Sequence, residues 1–231
     1  MSNNSTAHDL QEILRQQALL KRRLDEEEQA LTSLAKRLWA QQETEKARLS
    51  RELHDGVGQL LTGLTRRLQG LSKTSPELDE LCNIAELALS DVRQLSRMMS
   101  PTILDDLGLK PAIKWLCRNL FEHETADIQV SVELDLDIPK DISILLFRIS
   151  QEALVNCVKH SHASKVTLSL ASHHNVIRLD IADNGDGFDP TSIEPGIGLT
   201  SIADRAKAFD AEYTLTSTPG KGTRTTIKVP V

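Results

Sequence analysis

The residues best suited to chemistry in the first half of the chain are His54, Asp55 and Gln59. Asp55 follows the histidine directly, and Gln59 comes four residues after Asp55. An imidazole is a nucleophile, a neighbouring carboxylate can orient it, and an amide can both donate and accept hydrogen bonds. Together they predict a reactive surface. The alternative is a solvated polar face that contains one histidine by chance.

Apolar residues spaced by three and four predict the helix that carries this histidine. They are Leu53, Val57, Leu60, Leu64 and Leu68. That period places them on one side of a helix, as the inner seam of a bundle. His54 lies about 100° round the helix from Leu53, so we expect it to face water.

A second set of candidate residues lies in the other half of the chain. Glu152 and Asn156 are four residues apart in a predicted helix over residues 141–159, so they share a face. An acid and an amide in this arrangement can hold hydrated Mg²⁺, which takes few protein oxygens and leaves room for phosphates. The alternative is a solvated helix face.

Glycine-rich segments lie in the same half, at residues 183–188, 196–199 and 220–223. In the first, glycines let a ligand approach the backbone, and Asp183 can accept a hydrogen bond from an exocyclic amine. The second leads into a helix predicted from Thr200, whose first N–H groups suit phosphate. Each segment alone could be an ordinary turn, but their order and spacing together favour a ligand site.

The composition excludes several classes of protein. The chain has 231 residues, of which 39% are hydrophobic and 3% aromatic, a balance that suits helices packed with leucine and alanine. The net charge of −6 argues against direct nucleic-acid binding. No run approaches the ~20 apolar residues of a membrane span, and no apolar signal segment opens the chain. Cys82, Cys117 and Cys157 fit neither a disulfide framework nor a zinc site, so we expect reduced thiols in a cytoplasmic protein.

A heptad repeat predicts a coiled coil over residues 1–45. Its two seam positions hold Leu10, Gln17, Leu24, Leu31 and Leu38, and Ile13, Leu20, Glu27, Leu34 and Gln41. The alternative is a single amphipathic helix on a globular core. The apolar series slips within residues 41–52, and such a slip is either a defect or a signalling relay.

Residues 46–100 predict a pair of helices. The turn around Pro76 separates the helix of His54 from a second helix over residues 77–99. The heptad of this second helix consists of Leu78, Leu81, Ala85, Ala88, Val92, Leu95 and Met99. Two helices with one apolar stripe each cannot bury both stripes alone, so we expect two chains to form a four-helix bundle.

Residues 101–231 predict a domain of mixed secondary structure. Helices are expected at residues 103–107, 110–121 and 141–159, and strands at residues 128–134, 165–170, 176–181, 211–217 and 222–229. This order indicates an α/β sandwich with a mostly antiparallel or mixed sheet. The predicted fold class is therefore a multidomain chain, all-α and then α+β.

From about residue 49 to its end the chain resembles a two-component sensor histidine kinase. The last domain is similar to the GHKL (Bergerat) ATP-binding domains of DNA gyrase, Hsp90 and MutL. The segment from Glu52 to Gln59 resembles the phosphoacceptor helix of the subfamily that includes the nitrate sensors and the DesK thermosensor. Those kinases pair with NarL/LuxR-type response regulators.

The resemblance implies roles for the residues of both sets. His54 would be phosphorylated on Nε2, Asp55 would hold the imidazole and act as general base, and Gln59 would orient a water for dephosphorylating the regulator. Asn156 would bind Mg²⁺, with Glu152 helping to position metal and water.

The resemblance also implies the contacts to ATP. Lys159 and His160 would lie near the phosphates, and Asp183 would read the adenine amine. The remaining cofactor-binding residues would be Gly185 and Gly187 at the pocket wall, Gly196 and Gly198 at the hinge of the ATP lid, the adjacent Leu199, and Thr223 under the adenine.

Three features depart from the family pattern or extend it. Residues 209–211 replace a Gly-Gly pair, but that turn would lie away from the nucleotide, so we expect no loss of activity. The stretch at residues 189–195 is short, so the lid should be small. No transmembrane sensor precedes the coiled coil, which implies either a kinase that takes its signal from a partner protein or a receptor without its sensor domain.

The function expected is that of an ATP-dependent protein-histidine kinase. It would form a homodimer, phosphorylate His54, transfer the phosphoryl group to an aspartate of a response regulator, and dephosphorylate that regulator. One alternative is a GHKL ATPase clamp, which needs no reactive histidine. Another is a non-catalytic dimeric scaffold, which needs no intact nucleotide pocket.

Overall fold

A computed structural model describes residues 3–72, 75, 78–99, 102–192, 194 and 196–231, with side chains from residue 12 onward except Thr102. The chain divides into a helical unit, Met1–Gln41, and a larger unit, Gln42–Val231. The domain boundaries expected at residues 45 and 100 stay predictions. No helix in the described ranges is long and apolar enough to cross a lipid bilayer.

The first element is helix α1, Asn3–Glu52. In the smaller unit the leucines of the predicted heptad are exposed, Leu24 at 58%, Leu31 at 67% and Leu38 at 58%. Within one chain this seam is uncovered, so the coiled coil stays a prediction.

A wide turn interrupts the helical geometry directly after α1. We expected the irregularity within residues 41–52, but α1 remains α-helical to Glu52 and residues Leu53–Val57 form a π-helical turn. The Gly58 N–H donates to the Leu53 carbonyl, an i→i+5 bond that takes one more residue than an α-helical turn. The turn thus lies at the start of the apolar series of Leu53, Val57 and Leu60.

Helices α2, Gly58–Ser72, and α3, Asp79–Met99, pack against each other through small buried side chains. Thr65 faces this contact from α2, and Cys82, Ala85 and Leu89 face it from α3. The predicted seam of α2 lies on another face, since Leu60 is 76% exposed and Leu64 is 48% exposed. The seam is therefore available to a second chain.

The rest of the chain forms an α/β sandwich, as predicted. Its elements are α4 (Thr102–Leu107), α5 (Leu109–Phe121), β1 (Asp127–Glu133), α6 (Lys140–Asn156), β2 (Lys165–His173), β3 (Val176–Asp183), α7 (Ile197–Ala208), β4 (Glu212–Ser217) and β5 (Thr223–Pro230). The strand order is β1-β2-β3-β5-β4. Strands β1 and β2 are parallel and the other neighbouring pairs are antiparallel, so the sheet is mixed.

The core lies between one face of this sheet and helices α5, α6 and α7. Strands β2 and β3 alternate, with Leu168, Leu170, Ile177 and Leu179 fully buried and their neighbours more exposed. Phe147 from α6 is also fully buried. The helices and the sheet therefore enclose an apolar layer.

The burial pattern of β2 makes one prediction about stability. Leu168→Ala should lower the free energy of unfolding by about 2–5 kcal/mol, because it leaves a cavity in this layer. Ser169→Ala, the next residue on the exposed face, should change it by less than about 0.5 kcal/mol. Urea unfolding followed by circular dichroism measures both. Equal transition midpoints for the two variants would contradict the orientation of β2.

Candidate functional site

His54 and Asp55 lie together in the π-helical turn. His54 Nδ1 is 3.1 Å from Asp55 Oδ1, and the two side chains are 66% and 69% exposed. When Nδ1 carries the proton and donates it to Asp55, Nε2 keeps a free lone pair. The pair is exposed to solvent, so the expectation that His54 faces water is met, and in this tautomer Nε2 could act as a nucleophile.

A cavity of about 500 Å³ opens beside His54. Arg51 and Arg97 line it, and Ile103, Leu107 and Trp115 from helices α4 and α5 form its far wall. Gln59 is exposed on α2 and is not among the residues described around this cavity. The structure thus brings His54 and Asp55 together and leaves Gln59 on the open surface.

A second and larger cavity, of about 900 Å³, lies in the α/β sandwich. That volume is in the range of small-molecule sites. Every residue predicted to contact a nucleotide lines it except Gly185: Glu152, Asn156, Lys159, His160, Asp183, Gly187, Gly196, Gly198, Leu199 and Thr223. Residues from distant parts of the sequence thus converge on one site.

Asp183 ends β3 at the wall of this cavity. The Gly185 N–H donates to its Oδ1 at 2.9 Å, and the Cys157 thiol lies 3.7 Å from its Oδ2. Burial, and then the nearby Asp183, raise the pKa of the Cys157 thiol to about 12. The thiol is therefore a neutral donor to the carboxylate. Sequence reasoning missed Cys157, although it directly follows Asn156.

The turn after α6 is held against the loop after β3. Residues Cys157–Ser161 form a second π-helical turn, which shortens the α-helix predicted to residue 159. The Asp186 N–H donates to the Ser161 carbonyl at 2.8 Å, and a Cβ on Gly185 would overlap that carbonyl. Gly185 is therefore needed because the two backbones touch, and it lies behind the cavity wall.

Glu152 and Asn156 lie on successive turns of α6, and the start of α7 packs against them. A Cβ on Gly198 would overlap the Glu152 carboxylate. In the described residues no group of three or more His, Cys, Asp or Glu side chains could bind a metal. An acid and an amide nevertheless fit Mg²⁺, because this ion keeps water and phosphate oxygens as most of its ligands.

The inner wall of the cavity comes from the sheet. Ser217 Oγ is 2.8 Å from Thr223 Oγ1 and accepts a hydrogen bond from the Phe188 N–H at 2.9 Å. Tyr213 and Leu215 line the cavity from β4, and the Tyr213 hydroxyl is buried without a hydrogen-bond partner in the described part of the chain. We did not predict that Tyr213 and Leu215 line the cavity, although the alternation of β4 could have placed both side chains on the inner face.

Comparisons with known proteins agree with this architecture. Residues 45–104 match the family described as histidine kinase, and residues 141–231 match the family described as histidine kinase-, DNA gyrase B- and HSP90-like ATPase. The chain therefore belongs to the two-component histidine kinases, as its motifs predicted.

Individual relatives were also found. Sensor protein VraS of Staphylococcus aureus strain COL is 35% identical over 196 residues, which cover 82% of this chain and 56% of that protein. The VraS protein of Staphylococcus epidermidis strain ATCC 12228 gives the same values. The chain thus spans little more than half the length of these relatives. The histidine kinase domain of an Erythrobacter litoralis blue-light activated kinase has a TM-score of 0.48 at 17% identity, covering 82% of this chain and 94% of that one.

The environment of Cys157 makes a testable prediction. A thiol pKa raised from 9.0 to about 12 lowers the thiolate fraction at pH 8 by about a thousandfold. Iodoacetamide at pH 8 should therefore leave Cys157 unmodified in the folded chain while alkylating it in urea, as peptide mass mapping would show. Asp183→Asn removes the second cause of the shift, so its Cys157 should react faster. Equal rates in the folded and unfolded parent would contradict this environment.

Proposed function

We propose that this chain is an ATP-dependent protein-histidine kinase that phosphorylates itself on His54. The observation that carries the proposal is the convergence of the predicted nucleotide residues on one cavity of suitable size, in a chain that also exposes a His–Asp pair. The whole reaction would run from ATP to His54 and then to an aspartate of a separate response regulator.

Nucleotide binding would use the sheet side of the cavity for adenine. Asp183 would accept a hydrogen bond from the exocyclic amine, and its orientation is supported by the donors from Gly185 and Cys157. Thr223 would lie beneath the ring, next to Ser217. Selectivity for adenine would result, because a base without that amine would leave the carboxylate unpaired.

The opposite end of the cavity would hold the phosphates. Lys159 and His160 line the cavity, and α7 begins at its wall with the first N–H groups of a helix, which favour anions. Glu152 and Asn156 would hold Mg²⁺, which when bound supplies positive charge against the phosphate oxygens.

At His54 the chemistry is a single displacement. Nε2 attacks the γ-phosphorus of ATP, the Nε2–P bond forms, and the bond to the bridging oxygen breaks so that ADP leaves. Asp55 keeps the Nδ1 proton hydrogen-bonded and so stabilises the positive charge on the ring during attack. Catalysis is then mainly positioning, because both groups must be brought in line.

Gln59 would act in the dephosphorylation of the response regulator. Its amide is exposed on α2, where a docked receiver domain can reach it. An amide can orient a water towards an aspartyl phosphate without taking a proton itself. We therefore propose a regulator phosphatase activity in addition to the kinase.

The working form would be a cytoplasmic homodimer that partners a NarL/LuxR-type regulator. The exposed seam at Leu60 and Leu64 supports dimerisation, because a single chain leaves this apolar stripe in water. The three free cysteines and the need for ATP support the cytoplasm.

The acceptor is tested by His54→Ala. This variant should take up no label from γ-³²P-ATP, while its ATP affinity stays unchanged because the nucleotide cavity lies elsewhere. His123→Ala, which removes another exposed histidine, should label like the parent. In the parent the label should survive alkali and be lost in acid, as expected for a phosphohistidine. Labelling retained in His54→Ala would refute the assignment.

The nucleotide site is tested by Asp183→Asn, with ATP affinity measured by calorimetry and autophosphorylation measured by the same labelling assay. An amide replaces the carboxylate only in part, so we expect weaker ATP binding by calorimetry and correspondingly less label. Unchanged affinity would move the adenine site away from Asp183.

The phosphatase role is tested by Gln59→Ala. Autophosphorylation and transfer to the regulator should persist, since neither needs an oriented water. Dephosphorylation of the phosphorylated regulator should slow by about tenfold or more, because the positioned nucleophile is lost. Gln94→Ala, an exposed glutamine on α3, serves as the matched control. If Gln59→Ala dephosphorylates the regulator as fast as this control, Gln59 has no part in the site.

A further inference from the structure

One buried arginine joins the catalytic sandwich to the helix that leads to His54. Arg148, on α6, has a side chain only 4% exposed. Its Nε lies 3.0 Å from both carboxylate oxygens of Glu43, and its Nη2 donates to Glu43 Oε2 at 2.7 Å. Glu43 belongs to α1, and its side chain is 10% exposed. This is a bidentate ion pair shielded from water, the strongest geometry for such a pair.

The other N–H groups of the same guanidinium donate to the last carbonyls of helix α3. Nη1 donates to the Met98 carbonyl at 2.9 Å and Nη2 to the Met99 carbonyl at 2.6 Å. Nη1 also donates to Gln151 Oε1 at 2.8 Å, and Gln151 Nε2 donates to the Met98 carbonyl at 3.2 Å. The last carbonyls of a helix have no partner within it, so Arg148 caps α3 while it pairs with α1. All five N–H donors of Arg148 are used.

Glu43 is the carboxylate that favours the charged form of the cations around it. Lys46 Nζ lies 3.3 Å from its Oε1. Burial lowers the pKa of Lys46 and of Arg205 on α7, Arg148 lowers both further, and Glu43 opposes both shifts. Arg205 also interacts with Glu152 at the nucleotide cavity. Without Glu43, three cations would face one another at the joint between helix and sandwich.

The arrangement held by this contact keeps the two reactive centres apart. None of the described residues that line the large cavity belongs to α1, α2 or α3, and the residues around the cavity beside His54 come from α1, the π-helical turn, α3, α4 and α5. Glu43 lies eleven residues before His54, a rise of about 16 Å along a helix. In-line transfer needs reacting atoms within about 3–3.5 Å of each other. His54 does not line the large cavity, so the sandwich would have to leave its position at Glu43 to bring a bound nucleotide to the His54 of the same chain.

We propose that the Glu43–Arg148 contact is an autoinhibitory clamp, an inference that rests on the kinase function proposed above. A rotation of α1 that moves Glu43 away from Arg148 would release both the ion pair and the cap of α3, and repulsion among the remaining cations would drive the sandwich off. Such a contact is bistable, because a half-broken buried ion pair costs more than either the closed or the hydrated state. Glu43 lies within residues 41–52, the stretch for which the sequence left a defect and a signalling relay as alternatives.

The test is the initial rate of autophosphorylation of Glu43→Gln at saturating ATP. The rate should rise by about tenfold, because losing one partner of a buried pair shifts a two-state equilibrium by at least that factor. ATP affinity should stay within about twofold of the parent, since Glu43 does not touch the cavity. The matched control is Glu45→Gln. It lies on the same helix but pairs with the exposed Arg48, and it should label at the parent rate.

A second variant keeps the test decisive if Glu43→Gln does not fold. Gln151→Ala removes one bond to the Met98 carbonyl and one acceptor of Arg148 Nη1, but it leaves the Arg148–Glu43 pair in place, so it should give a smaller rise in rate. A rate equal to or below the parent's, in a folded variant with parental ATP affinity, overturns the clamp.

Hydrogen exchange separates this proposal from the kinase function itself. Release of the clamp should speed exchange in peptides covering residues 43–47 and 95–99 of Glu43→Gln, with strands β2 and β3 unchanged as an internal reference. If the parent takes up no phosphate, the proposed function fails, and exchange alone then decides the clamp. Unchanged protection in those peptides would overturn it.

Discussion

A buried guanidinium must find an acceptor for every N–H, and Arg148 satisfies this requirement by touching three helices at once. Glu43 neutralises it from α1, the last carbonyls of α3 accept from it, and its own helix α6 carries Glu152 and Asn156 one and two turns further on. Arg148 therefore ties α6 of the sandwich to both α1 and α3. Because its charge is shielded from water, the contact is either fully made or fully broken.

The residues predicted to carry chemistry lie in two places, around His54 and around the large cavity. The His54–Asp55 pair is exposed on the π-helical turn after α1, whereas the residues predicted to contact a nucleotide line the large cavity of the sandwich. Under the proposed function, this division lets ATP binding and phosphoryl transfer be controlled separately. Any signal that moves α1 acts on the connection between the two.

Both places are built on π-helical turns. One at Leu53–Val57 carries His54 and Asp55, and the other at Cys157–Ser161 turns the end of α6 towards the loop after Asp183. Each turn accommodates an extra residue and so rotates the next residues of the chain relative to a regular α-helix. At the second turn the compensation is visible, because Gly185 lets the loop backbone reach the Ser161 carbonyl.

Local patterns in the sequence determined the elements and most of the cavity residues. The three-and-four spacing predicted the helices, the alternation around Leu168 and Leu179 predicted the strands of a mixed sheet, and the order of Asn156, Asp183 and the glycines predicted one pocket. These signals are local, since each depends on residues within a few positions of one another.

Tertiary structure alone decided the contacts between distant positions. Arg148 meets Glu43 across 105 residues and Cys157 meets Asp183 across 26, and neither pair has a periodic signature. The face of α2 buried within the chain is set by small residues such as Thr65 and not by its leucine seam. A buried charge or a helix end must have a hydrogen-bond partner, and that partner is whichever polar group the fold places beside it. The spacing of residues along the chain does not specify such a partner.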